Sequence, residues 1–188
     1  TDMELVYFPD ERLREVSKKI STIDAALREA VPKMFEVMYA ARGIGLAGPQ
    51  VGLNRRIIVA NLGGDSEAQE GEQVYINPVI VGKSGELREE EGCLSLPGLA
   101  IQVRRHQTVL VRYLTLGGET VEREATDLES RMFQHEIDHL DGILLVDKMS
   151  PADRKQWAPF LAEMEEDFAS RRPPRRKAVR RRAPAADA

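Results

Sequence analysis

The stretch FQHEIDHLDG at residues 133–142 limits what this chain can fold into more than any other feature. His135 and His139 stand four residues apart with Glu136 between them, so a helix would put both imidazoles on one face. Leu128, Met132, Phe133, Ile137 and Leu140 add apolar side chains on more than one side of that helix. A helix dressed in this way is buried. The rest of the chain must therefore enclose it, while leaving polar surroundings for two imidazoles and a carboxylate. TDLE at 126–129 reads as a capping box in front of the helix, which is predicted to run to about Leu140 and stop at Gly142.

His, Glu and His in this spacing point to a metal ion with an adjacent carboxylate able to take a proton from water. Catalytic sites usually have three protein ligands and leave the fourth position to water. A further histidine at the HExxHxxGxxH spacing would fall on Leu145, which cannot ligate. Two sources remain. One is a glutamate of the next helix, Glu163, Glu165 or Glu166; the other is the single Cys93, in EEEGCLSLPG. Gly92 beside the sulfur permits close approach, and Leu-Ser-Leu-Pro after it suits an irregular strand or turn. The residues alone leave the choice open.

The enclosing material is mostly strand. RIIVAN (56–61), VYINPVIV (74–81), TVLVRYL (108–114) and TVEREA (120–125) are rich in β-branched residues and separated by turn signals. The last two flank LGGE as an antiparallel hairpin. A helical period spans 21–41, with Gly43 expected as its C-terminal cap and Pro32 expected to kink or restart it. A last helix is predicted from Ser150 as cap and Pro151 at its first position, with Pro159 interrupting it. The expected fold class is α+β: antiparallel sheets around a central buried HExxH helix, with an N-terminal and a C-terminal helix.

A chain of 188 residues makes one domain, 1–170, followed by a basic Pro/Ala/Arg-rich tail, 171–188. That tail carries 8 of the 27 basic side chains and one of the 31 acidic ones, leaving 19 basic against 30 acidic in the body. The acidic body argues against specific DNA binding. The tail is read as a solvated extension or as a transient contact with ribosomal RNA. No apolar run reaches the roughly 18 residues of a membrane span, and no signal or transit pattern opens the chain. One cysteine fits a reducing compartment, so a cytoplasmic chain, or a matured organellar one, is expected.

GIGLAGPQ (43–50) is not a phosphate loop, since no Lys-Ser/Thr follows it. It offers bare backbone at Gly43 and Gly45 and one amide at Gln50. Taken in order, GIGLAGPQ, EGCLS and QHEIDHL resemble the three signature motifs of the peptide deformylase family. The likeness extends to Asn77-Pro78 and to the Pro-Asp-x-x-Leu-Arg opening at 9–14, and so covers residues 5–150. Gly48 departs from it, standing where the family usually has Ala.

The resemblance implies removal of the formyl group from N-terminal formylmethionine of nascent polypeptides, with release of formate. It implies Cys93, His135 and His139 as ligands of one ion and water as the fourth. Fe(II) is the ion expected in the cell, with Zn(II), Ni(II) or Co(II) compatible with the same donors. Glu136 becomes the general base and acid, and the Gln50 amide and the Leu94 N–H become oxyanion donors. A methionine pocket draws on the apolar Ile44, Leu46, Leu128 and Met132, while Gly43, Gly45 and Gly92 let a peptide lie extended against the loop. A monomer or weak oligomer is expected.

His106 is read as a surface or structural residue. Glu91 and Asp138 are candidates to orient the ligand histidines, although solvent or salt-bridge roles are the plainer reading. The rival is an HExxH metallopeptidase with a downstream glutamate as third ligand. A closed structural metal module is disfavoured, because such a site needs no base beside an open position.

Overall fold

The run IIVA forms a strand, β2 (Ile57–Ala60), in which all four residues are buried because both faces are covered. Ile57 and Val59 face one side and pack with Leu27, Val31, Met34, Phe35 and Met38 of helix α1 (Ala25–Ala40). Ile58 and Ala60 face the other and pack with Met132, Phe133, Ile137 and Leu140 of helix α2 (Asp127–Leu140). The two-residue period of a strand thus assigns alternate side chains to different helices.

The computed structural model describes residues 3–174. Five strands form one antiparallel sheet in the order β1 (Gly45–Ala47), β2, β3 (Gln73–Ser84), β6 (Thr108–Leu114) and β7 (Thr120–Thr126). Two more, β4 (Leu87–Gly92) and β5 (Ala100–Arg105), pair antiparallel as a separate sheet. Helix α3 (Pro151–Ala169) follows. It packs Met164, Trp157, Phe160 and Leu161 into a cluster with Val6, Leu13, Leu96, Leu99, Ile101, Val103 and the apolar run 144–146. The molecule is therefore α+β with antiparallel sheets and three α-helices among the described residues.

Pro78 lies inside β3 without breaking it. The β3–β6 register shifts between Ile76 and Val79, which spares the ladder a donor that proline lacks. Asn77, at φ 50°, exchanges two 2.8 Å bonds between its side-chain amide and the backbone of Ile20.

Several expectations about helix ends need correction. Gly43 does not cap α1. Arg42 takes the left-handed position (φ 59°), while the Arg42 and Gly43 amides return to the carbonyls of Tyr39 and Met38 at 2.9 Å each. Thr126 occupies the N-cap of α2 with no side-chain bond, and the Glu129 carboxylate, which a capping box would return to the Thr126 amide, is paired with Arg123 instead. Pro32 and Pro159 neither restart nor interrupt their helices. Both are exposed, and the carbonyls they leave without an N–H belong to exposed Arg28 and Lys155, where water can serve. Ser150 and Pro151 start α3 as expected. Most of the basic tail, from residue 175, lies outside the described residues. Among the described residues, no helix is long and apolar enough to cross a membrane.

Candidate metal centre

Three elements deliver the site. Strand β4 ends at Gly92, and Cys93 follows at the start of a turn closed by the Leu96 N–H on the Cys93 carbonyl at 3.0 Å. Helix α2 presents His135, Glu136 and His139. Strand β1 runs into a short 3-10 turn, Gly48–Val51, that carries Gln50.

The Cys93 Sγ lies 3.3 Å from His139 Nε2, and one donor atom from each of Cys93, His135 and His139 lies within 4.8 Å of the others. Cys93 and His139 are buried and His135 nearly so. Glu163, Glu165 and Glu166, the alternative source of a third ligand, are no part of this cluster. His135 Nδ1 meets Glu91 Oε2 at 3.0 Å, which leaves Nε2 as its donor toward an ion. One soft sulfur and two imidazoles, buried together, fit a divalent transition metal and not Mg or Ca.

Glu91 is the hub behind this face. Arg105 grips it with two bonds, Nε to Oε1 at 2.9 Å and Nη2 to Oε2 at 3.0 Å, and reaches Asp138 with Nη1 at 2.7 Å. Arg131 approaches Oε1 at 3.4 Å. Burial alone would raise the Glu91 pKa, but His135 and Arg105 outweigh it and hold the carboxyl at about 2. Asp138 touches neither His135 nor His139 in this network; it braces Arg105 and lies 3.7 Å from Lys148.

The two histidines differ. Burial works against charge on both. On His135 the Cys93 sulfur and the Glu91 carboxylate overcome it and hold the imidazole well above its usual range. On His139 burial prevails, reinforced by the charge on His135, and keeps the ring well below that range. Glu136 is 6% exposed and its Oε2 has no hydrogen-bond partner. Burial pushes its pKa up to about 7, against the opposing charge of His135. An orphaned buried carboxylate oxygen asks for a ligand or a proton to complete it.

Gln50 is fixed as well as buried. Its Oε1 accepts from the Ala47 N–H at 2.9 Å, which directs Nε2 to Ser95 Oγ at 3.2 Å and toward Cys93 Sγ at 3.8 Å. The glycines make room. A Cβ at Gly45 would sit 3.1 Å from Met132 Cγ and 3.2 Å from Glu136 Oε1, and one at Gly43 would sit 2.5 Å from Leu94 Cδ1. At Gly92 the nearest atom would be the Leu99 carbonyl oxygen at 3.4 Å.

The expected pocket residues are dispersed. Met132 is buried beside Gly45 and Ile44 is half-buried. Leu46 is fully buried on the α1 side of the sheet, and Leu128 is 49% exposed on the first turn of α2. His106 is structural: its backbone bonds Gln134 and Ser130, and its ring meets the Gly85 carbonyl.

Arg105, Arg131 and Ser95 are the site residues that motif reading passed over. The first left a trace. In β5 the pattern AIQVRR buries alternate residues Ile101, Val103 and Arg105, so an arginine falls in an inward register.

The family model described as polypeptide deformylase matches residues 3–155. A peptide deformylase of Thermodesulfovibrio yellowstonii is 47% identical over 156 residues, covering 81% of this chain and 92% of the relative. One from Chromobacterium violaceum is 40% identical over 163 residues, covering 87% and 96%. The solved peptide deformylase of Plasmodium falciparum superposes with a TM-score of 0.85 at 40% identity, covering 88% of this chain and 97% of the other. With matches of this extent added to the geometry above, the chain belongs to the polypeptide deformylase family of enzymes.

Proposed function

We propose that this enzyme removes the formyl group from the N-terminal formylmethionine of nascent polypeptides and releases formate. The observation that carries the reading is the convergence of Cys93, His135 and His139 on one point with the buried Glu136 beside it. Cys93, His135 and His139 would hold one divalent ion, Fe(II) in the cell, with Zn(II), Ni(II) and Co(II) able to use the same donors. When bound, the ion supplies Lewis acidity, which makes water nucleophilic near neutral pH and polarises a carbonyl oxygen.

The chain's own residues do the rest. Glu136, held near neutrality by burial, takes a proton from the attacking water and returns it to the departing amine. Gln50 presents an amide already oriented by Ala47 and Ser95, so its N–H needs no reorganisation to meet a developing oxyanion. The Leu94 N–H is assigned as the second donor. Gly43 and Gly45 let an extended peptide approach the backbone closely, while Met132 and Ile44 supply apolar wall for the methionine side chain.

The metallopeptidase alternative lacks its third ligand in the cluster and is not favoured. The test is anaerobic purification with metal analysis, followed by assay of formate release from a formyl-Met peptide. About one ion per chain and formate production support the reading. Cleavage of an internal peptide bond without formate sinks it.

A further inference from the structure

We propose that Arg131 is a positioning residue, locking the strand that delivers Cys93 to the helix that delivers both histidines. Its side chain is 8% exposed and lies one helical turn before His135. From there it reaches three consecutive residues of β4. Nη2 donates to the Glu90 carbonyl at 2.9 Å, Nη1 pairs with the Glu89 carboxylate, and Nε approaches Glu91 Oε1 at 3.4 Å. The nearest of these acceptors is two residues from Cys93.

A guanidinium is planar with five N–H donors in fixed directions, so three acceptors on one strand fix that strand against the helix. Arg105 acts differently. It comes from β5, the partner of β4, and holds the Glu91 side chain and Asp138. Arg131 additionally grips the main chain of β4, at Glu90. Without it, Glu91 still bonds His135 directly and is still held by Arg105, but the end of β4 loses its main-chain tie to α2. The Cys93 sulfur is then the donor set free to drift.

This inference rests on the reading that Cys93, His135 and His139 hold the ion. The test loads wild type, Arg131→Met and Arg131→Lys with Co(II), whose thiolate charge-transfer absorption reports the Cys93 bond. Release of Co(II) to excess chelator is then timed. Loss of a partner behind a metal ligand typically weakens binding ~10–100-fold, and release should accelerate by that order in Arg131→Met, with a diminished thiolate band. Arg131→Lys keeps the charge but cannot span three acceptors, and should fall between; it carries the test if Arg131→Met does not fold. Variants that match wild type in band and release rate, or that lose only thermal stability, overturn the lock. A wild type that folds yet shows no thiolate band overturns the metal reading and the lock with it.

Discussion

Glu136 and Gln50 show how much a site depends on what a side chain lacks or possesses by way of partners. Glu136 has a buried oxygen without a hydrogen-bond partner and a carboxyl raised to about 7, whereas Gln50 has its amide orientation dictated at both ends. Their loss should therefore differ in kind. Glu136→Gln is expected to bind the ion at wild-type stoichiometry and to lose ~10²–10⁴-fold in kcat, the usual worth of general acid–base catalysis. Metal content measured beside formate release checks it, and turnover within a few-fold of wild type would remove Glu136 from the proton path. Gln50→Ala should lose about a hundredfold in kcat with a smaller change in KM, as a single oxyanion donor does; an unaltered kcat dismisses that role. Both residues were legible in the sequence because their motifs are short and local. Glu91 was less so. Nothing in LREEEG shows which of three glutamates turns inward; only the pairing of Glu91 with Ile101 in the β4–β5 register decides that.

The ends of elements carry the next layer of constraint. Helix α2 closes on Gly142 at φ 73°, with the Gly142 and Ile143 amides returning to the His139 and Asp138 carbonyls at 3.2 and 2.9 Å. A Cβ there would also lie 2.4 Å from the Arg14 carbonyl oxygen. Gly142→Ala combines left-handed strain with a backbone clash, and about 2–4 kcal/mol of destabilisation is expected in urea unfolding; less than 0.5 kcal/mol would refute the close approach. Just beyond, Asp147 binds Arg14 at 2.5 Å and the Leu144 amide at 2.8 Å. Burial alone would raise its pKa, but Arg14 and the amide outweigh burial and lower it. A depressed folded pKa gives stability that is present above the unfolded value near 4 and fades as pH falls through the folded one. Both partners are more than a third exposed, so Asp147→Asn should cost only about 0.5–1 kcal/mol at pH 7. The difference from wild type should shrink steadily below pH 4; one that grows there reverses the sign. The glycine at 142 was readable as a stop signal. The prolines misled, because a sequence does not reveal that the carbonyls they strand belong to exposed residues, Arg28 and Lys155.

Across the whole molecule, the proposed ligands straddle a division in the core. Cys93 packs in the cluster of β5, the N-terminal segment and α3, whereas the apolar face of α2 belongs with the five-stranded sheet. That division was the part least visible beforehand. The hairpin TVLVRYL and TVEREAT announces itself through β-branched residues, but β4, carrying five charged or small residues in LREEEG, is a strand only because β5 pairs with it. An ion bound by Cys93 and both histidines would cross-link the two bodies, in addition to the arginine ties at Glu91. Chelation should therefore loosen them unequally. Removing the ion costs the binding free energy, about 2.7 kcal/mol when free ion is at 100 times its Kd, and that loss should appear where the cross-link was. Amide hydrogen exchange is expected to accelerate in residues 87–105 of the metal-free protein, while β2, packed between α1 and α2, and the interior strands β3 and β6, paired on both edges, keep their protection. Uniform acceleration across both sheets would mean that the ion supports the fold as one unit. Unchanged exchange in 87–105 would mean that the arginine network alone holds Cys93 in place.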